Sequence, residues 1–151
     1  MNKPQAFTLI EILVVIGMIA VLATIVIVAI NPARQFAASR NTQRLSNVNA
    51  ILNAIGENMS DNGGLFNCPG QEPTTTAMDI KDKNQPGEKG LDLMPCLVPN
   101  YLSSVLYDPK GGSGESTASY DTLYSVSQDD AGRITVAAPG AELGQTISVS
   151  R

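Results

Sequence analysis

The hydrophobic pattern of the chain is dominated by one apolar run near its N-terminus. Residues 7–30 read FTLIEILVVIGMIAVLATIVIVAI, and only Thr8, Glu11 and Thr24 carry polar side chains. As an α-helix rising about 1.5 Å per residue, the run would be roughly 36 Å long, which is enough to cross a bilayer core about 30 Å thick. Because no polar stripe interrupts the run, we predict a helix that is surrounded by apolar material on every side.

The apolar periodicity changes after Pro32 and becomes that of an amphipathic helix. Apolar residues then recur at steps of three and four and form one stripe, which comprises Leu45, Val48, Ile51, Leu52, Ile55 and Met59. Residues 61–64, Asp-Asn-Gly-Gly, supply a helix stop signal, so we predict one helix from about Thr8 to Met59, with an apolar first half and an amphipathic second half. Since Pro lacks a backbone donor and restricts the residue before it, we expect a kink or local unwinding between Thr24 and Pro32.

The carboxyl-terminal part of the chain alternates apolar and polar residues in three segments. These segments, residues 122–127, 133–138 and 145–150, are predicted strands, and the turn residues 129–132 join the first two in a hairpin. A three-stranded antiparallel meander has one face to bury, and the apolar stripe of the amphipathic helix half is expected to cover it. The pattern therefore predicts an α+β fold.

The segments between the amphipathic helix half and the first predicted strand carry little hydrophobic periodicity. Residues 62–90 are rich in Gly, Pro and polar residues, and we predict an irregular loop with a short turn of helix near Met78–Asp82. The Gly-rich residues 111–116 are followed by neither the Lys nor the helix of a phosphate-binding loop, so we interpret them as a flexible turn.

Composition narrows the classes of function. The net charge is −4 and the pI about 4.6, which argues against nucleic-acid binding. The chain contains no His, so the commonest general base and the commonest metal ligand are both missing. No nucleophile has a visible activating partner either, and we do not expect an enzyme.

The two cysteines, Cys68 and Cys96, bracket the irregular loop. In an exported domain, a disulfide between them would close a loop of about 29 residues and contribute roughly 3 kcal/mol in the chain-entropy model. The alternative is a pair of unrelated buried thiols. We favour the disulfide, because little else holds this loop.

Glu11 is the most informative residue of the apolar run. A carboxylate inside a membrane helix costs on the order of 2.5–3.5 kcal/mol and is retained where it has a partner, yet no cation lies one turn away in the run. A cut between Ala6 and Phe7 would create an amine four residues from Glu11, in the same chain or in a neighbouring copy. The run is too long for the apolar part of a secretory signal peptide, so the simpler alternative is a permanent membrane anchor.

The segment Ala6-Phe7-Thr8-Leu9-Ile10-Glu11, followed by an apolar helix, resembles the N-terminal signature of type IV pilins and type II secretion pseudopilins. The resemblance implies that a prepilin peptidase removes the leader after Ala6 and methylates the new N-terminal Phe7. It also implies that Glu11 pairs with the N-terminus of a neighbouring subunit during assembly. This chain departs from the family in having Ala6 where Gly is usual.

The resemblance implies a pilin fold, in which a long N-terminal helix packs on a small antiparallel sheet of about three strands. The expected parts are a leader (1–6), a transmembrane and filament-core helix (7–32), an amphipathic helix half (33–60) and a globular domain (61–151). The expected precursor lies in the inner, or cytoplasmic, membrane and the assembled subunit in a filament at the cell surface. The expected partners are further copies of the chain, the prepilin peptidase, the membrane and a pilus or secretion assembly machinery.

Two alternatives to a pilus subunit stay open at this point. The first is a pseudopilin of a type II secretion system, and the second is an uncleaved single-pass protein that presents a small binding module. Carboxylates in the sheet region could also bind Ca²⁺, whose ligands are oxygens, although their spacing matches no defined loop and turns also use Asp. The candidates are Asp108, Glu115, Asp121, Asp129 and Asp130. We expect no other cofactor.

Overall fold

A computed structural model describes residues 7–83 and 90–151 of the chain. Its residues form two compact units, one that ends at Phe36 and one that comprises Ala37–Arg151. The first unit is helical, whereas the second combines helix with a mostly antiparallel sheet. The α+β class predicted from the sequence is confirmed, and its parts are those of a pilin fold.

The apolar run forms helix α1, Leu9–Ile30, and helix α2 follows as Pro32–Asp61. The expected interruption lies at Asn31, which adopts left-handed backbone angles of φ 48° and ψ 79°. Asn tolerates this conformation better than most residues, and Pro32 removes the backbone donor that would have continued the helix. The Asn31 side chain then accepts a hydrogen bond from the Arg34 amide at 3.3 Å, so the same residue ends α1 and caps α2.

Helix α2 buries most of the apolar stripe predicted for it. Val48, Ile51 and Ile55 are fully buried, but Leu45 at the start of the stripe is 46% exposed. The stripe therefore extends one turn beyond the surface that covers the helix. The helix ends as predicted, since Gly63 and Gly64 both adopt positive φ angles and the Gly64 amide donates to the Met59 carbonyl at 2.8 Å.

The described residues of the second unit form six strands, whereas three were predicted. They are β1 (Met78–Lys81), β2 (Gly90–Leu91), β3 (Ser113–Ser116), β4 (Ser119–Gln128), β5 (Ile134–Ala138) and β6 (Ile147–Ser150). The sheet order is β2-β1-β4-β5-β6, and β3 pairs with β4 off this path. Only β1 and β2 pair in parallel; the other pairs are antiparallel. The predicted hairpin corresponds to β4 and β5, and the predicted third strand to β6.

Two local predictions were wrong. Met78–Lys81 lies in strand β1 instead of a turn of helix, and Ser113–Ser116 lies in strand β3 instead of a flexible turn. Both segments are four residues long, and each pairs with β4. Their conformation is set by that distant partner strand, which no pattern within four residues can indicate.

The core of the second unit lies between α2 and the sheet. Val48 and Ile55 of α2 belong to one buried cluster with Val126 of β4 and Val136 of β5. A short third helix, α3 (Met94–Leu97), closes this cluster with Met94 and Leu97. The prediction that the stripe of the second helix covers the sheet is confirmed.

Cys68 and Cys96 are joined in a disulfide, with their Cα atoms 5.6 Å apart. The bond ties the segment after α2 to α3 across a sequence separation of 28 residues. We expect the Cys68→Ser, Cys96→Ser double variant to lose about 3 kcal/mol of stability, because its unfolded chain is no longer cross-linked. Thermal unfolding of the variant and of the native chain measures this loss of stability. A reductant should lower the melting temperature of the native chain and leave that of the variant unchanged.

Candidate functional site

The surface of α1 is the largest apolar feature of the described residues. Leu9–Ile27 is long and apolar enough to cross a membrane, and none of it is buried within the chain. Leu13, Ile16 and Leu22 each expose more than half of their surface. Soluble monomers rarely expose a continuous apolar patch of this extent, so α1 is built to lie in lipid or against other chains.

Glu11 closes the start of α1 together with Thr8. The Thr8 hydroxyl accepts a hydrogen bond from the Glu11 amide at 3.3 Å, while the Thr8 amide and hydroxyl donate to Oε2 of Glu11 at 3.3 Å and 3.2 Å. This reciprocal arrangement is a capping box, which satisfies backbone donors that a helix start leaves unpaired. It also holds the carboxylate at the first turn, three residues from Thr8 and four from Phe7.

The structure places the predicted processing residues at the edge of the described chain. Phe7 precedes α1, is not helical and is 81% exposed. Ala6 and the rest of the predicted leader, residues 1–6, lie outside the described residues. Phe7 and Glu11 therefore lie at the same end of one exposed helix, which is the arrangement that pairing between copies requires.

The second unit contains an ion cluster that was not predicted from the sequence. It is formed by Arg40, Arg44, Asp108, Lys110 and Glu142, and its buried members are Arg44 and Asp108. Arg44 and Asp108 are each 1% exposed and form a bidentate pair, Nε to Oδ2 at 2.6 Å and Nη2 to Oδ1 at 2.9 Å. Arg44 Nη1 also donates to Glu142 Oε2 at 2.9 Å. The cluster thus joins α2 to the segments before β3 and before β6.

The spacing along α2 does carry a signal for this cluster. Arg44 lies four residues before Val48 and seven before Ile51, so it falls on the buried stripe, whereas charged residues ordinarily lie on the outer face of a helix. A buried arginine requires a carboxylate partner, and Asp108 supplies it. Gly140 lies against this pair, where an added Cβ would come within 3.0 Å of Asp108 Oδ2.

The arginines of the cluster change the pKa of Glu142. Hydrogen bonds from Arg40 and then from Arg44 hold the pKa of this carboxyl far below its ordinary value of 4.5. The folded state therefore binds the Glu142 proton more weakly than the unfolded chain does. The interaction of Glu142 with the two arginines stabilises the fold above pH 4.5, and this stabilisation is lost as the pH falls below that value.

This pKa shift predicts an acid-sensitive melting temperature. We expect the melting temperature to fall between about pH 6 and about pH 3, and to fall less steeply in a Glu142→Gln variant, which has no carboxyl to protonate at this position. Asp129, whose pKa is lowered by Arg133, contributes with the same sign in both proteins. Thermal unfolding at a series of pH values measures the two slopes; parallel curves would contradict the assignment.

Three of the five candidate calcium ligands have other partners in the structure, and Glu115 is exposed on β3. Both oxygens of Asp108 accept from Arg44, and Asp129 pairs with Arg133 at 2.7 Å. Asp121 accepts from the Leu123 amide at 3.0 Å, while Asp130 is exposed in the turn after β4. Among the described residues, no group of three or more such side chains could hold a metal ion. Calcium binding at these positions stays a prediction of the sequence alone.

Comparison with known proteins matches the N-terminal segment alone. The family described as the prokaryotic N-terminal methylation motif matches residues 1–27. No curated protein and no solved structure matches the chain. The matched segment contains Phe7, Thr8 and Glu11 and most of the exposed apolar surface of α1. The chain therefore carries the N-terminal methylation motif, which supports its identification as a type IV pilin-like or pseudopilin-like prepilin.

Proposed function

We propose that the chain is the structural subunit of a type IV pilus or pilus-like filament, cleaved after Ala6, methylated at Phe7 and polymerised through α1. The observation that carries this proposal is the fully exposed apolar helix with one carboxylate in its first turn, inside the matched motif. The motif also indicates a structural rather than an enzymatic protein.

During assembly, α1 exchanges one apolar environment, the lipid, for another, the α1 helices of neighbouring copies. The precursor stores the helix in the cytoplasmic membrane, where lipid covers Leu9–Ile27. The helix leaves the lipid only if neighbouring copies cover the same surface, so the filament core is a bundle of these helices. In the proposed division, residues 1–6 are the leader, 7–32 the core helix, 33–60 the amphipathic half and 61–151 the globular part.

Glu11 sets the register between neighbours in this bundle. Its carboxylate is held at the first turn by Thr8, so it faces the end of the helix where cleavage creates an amine. A buried carboxylate is costly unless it meets a positive charge, and the amine of a neighbouring Phe7 supplies one. Correctly staggered neighbours pair both groups, whereas a shifted neighbour leaves both unpaired.

The mass of the intact protein distinguishes a cleaved and methylated subunit from an uncleaved, membrane-anchored module. We expect the mature chain to begin at Phe7 and to carry one added methyl group. A mature chain that begins at Met1 would overturn the proposal and support the anchored module. Chain isolated from cells that lack the prepilin peptidase is the control, because it should keep residues 1–6.

A pilus and a secretion pseudopilus share this motif and are distinguished by phenotype. Electron microscopy of sheared surface material, with N-terminal sequencing of its main band, should show fibres built from the chain that begins at Phe7. Fibres absent from the surface, together with a secretion defect on deletion of the gene, would favour the type II secretion pseudopilin.

A further inference from the structure

A groove of about 560 Å³ runs between α2 and the segment that leads into β6. Ala38, Thr42 and Leu45 line its helical side, and all three are exposed on one face of α2. Ile147 of β6 lines the other side and is buried. Leu45 lies three residues before fully buried Val48, yet it is 46% exposed. The described sheet thus leaves the start of the apolar stripe uncovered at Leu45.

Strand β6 is one edge of the described sheet, and no described strand pairs with its outer side. The backbones of Ile134 and Arg151 exchange two hydrogen bonds of 2.9 Å each. In an antiparallel pair such bonds recur at every second residue, so Val149 and Ile147 face β5, while the N–H and C=O groups of Ser148 and Ser150 face away from it. The strand reads ISVS and has none of the Pro or Lys residues that often protect an edge.

We propose that this edge and groove accept strand β3 of a second copy of the chain, which adds to β6 as the next strand. The inference rests on the proposed function, since it places the contact between subunits of a filament. The added strand lies about 4.8 Å from β6 and covers Leu45, which completes the layer over α2.

Strand β3 fits this position by length, exposure and charge. Like β6 it is four residues long, and among the described strands it pairs with β4 alone. Glu115 is exposed on β3. Arg151 is exposed directly after β6 and keeps its charge while its Nη1 donates to Asn53 Oδ1 at 2.6 Å, so the two edges carry opposite charges. Because β3 and β6 are different edges, each copy accepts a strand at β6 and donates β3 to the next copy. Such a contact is repeated from copy to copy along a filament.

A cross-link between two differently substituted copies tests the contact. Full-length Ser148→Cys and Glu115→Cys chains are co-expressed, and sheared filaments are oxidised and run on a non-reducing gel. We expect a dimer band from the mixture that neither variant gives alone. The control mixture pairs Glu115→Cys with Asp130→Cys, at the exposed turn after β4, and should give no dimer.

The outcomes separate this inference from the function on which it rests. Filaments that form normally but yield no dimer overturn the β3–β6 contact and leave the filament proposal intact. A native chain that forms no filaments overturns the filament proposal, and the contact with it. A dimer of equal amount in the control mixture also overturns the contact, because it shows that cross-linking is not specific to these edges.

A charge placed in the groove gives a second readout that needs no cross-link. We expect Leu45→Glu to lower the filament yield roughly tenfold, since the added strand would bury an unpaired carboxylate. Leu65→Glu is the matched control, because Leu65 is 75% exposed and does not line the groove. Both variants should melt at the temperature of the native chain. Equal yields from the two variants would contradict the proposal.

Discussion

Replacing Glu11 by leucine is expected to abolish filament formation while membrane insertion continues. In the proposed filament, the variant removes the carboxylate that would meet the Phe7 amine of the neighbouring copy and would leave that amine buried without a partner. Breaking a buried ion pair on one side costs about 3–5 kcal/mol, which is roughly two to four powers of ten in an equilibrium constant. Insertion gains from the exchange, since leucine is favourable in a membrane helix. The measurement compares the chain in sheared filaments with the chain in the membrane fraction.

A Glu11→Gln variant separates the charge from the helix cap. The glutamine oxygen can still accept from the Thr8 amide, as Glu11 Oε2 does at 3.3 Å, but it carries no charge for a neighbouring amine. We therefore expect Glu11→Gln to fail in assembly as Glu11→Leu does. A native filament yield from Glu11→Gln would show that assembly needs the helix cap and not the charge. A native filament yield from Glu11→Leu would show that Glu11 has no role in assembly.

Replacing Arg44 by methionine is expected to destabilise the second unit more than any other single change in the ion cluster. Asp108 is 1% exposed, and without Arg44 its buried carboxylate loses its directly paired cation and both hydrogen bonds of the bidentate pair. Removing one partner of a buried pair costs about 3–5 kcal/mol, which corresponds to a fall in melting temperature on the order of 10 °C or more. Thermal unfolding of the full-length chain in detergent, followed by circular dichroism, measures it.

Arg40→Met is the matched control for Arg44→Met. Arg40 pairs with Glu142 at 2.6 Å, but its side chain is 31% exposed and solvent can take over the interaction. Glu142 also keeps Arg44 at 2.9 Å when Arg40 is removed. We expect a much smaller loss of stability from Arg40→Met than from Arg44→Met. Equal losses would show that burial does not decide the strength of these pairs.

The elements that the sequence predicted are those whose signal is local. The apolar run, the stripe from Val48 to Ile55 and the alternation in β4, β5 and β6 each repeat within one segment, so periodicity indicates them. The break at Asn31 follows from one residue, Pro32. Strands β1 and β3 could not be predicted in this way, because pairing with β4 from elsewhere in the chain decides their conformation.

The functional residues divide in the same manner. Phe7, Thr8 and Glu11 lie within five residues, so the methylation motif is visible in the sequence. The pair Arg44–Asp108 spans 64 residues and could not be assigned from spacing, although the position of Arg44 on the buried stripe predicts that it needs some acidic partner. Leu45 looked like a core residue by period, and its exposure depends on how far the sheet extends.

The central claim, that Glu11 meets the N-terminal amine of a neighbouring copy, is tested most directly by helical reconstruction of the filament at side-chain resolution. We expect the chain to begin at Phe7 and its amine to lie within about 4 Å of a Glu11 carboxylate from another subunit. Density for residues 1–6 ahead of Phe7, or Glu11 carboxylates that face only their own Thr8, would contradict it.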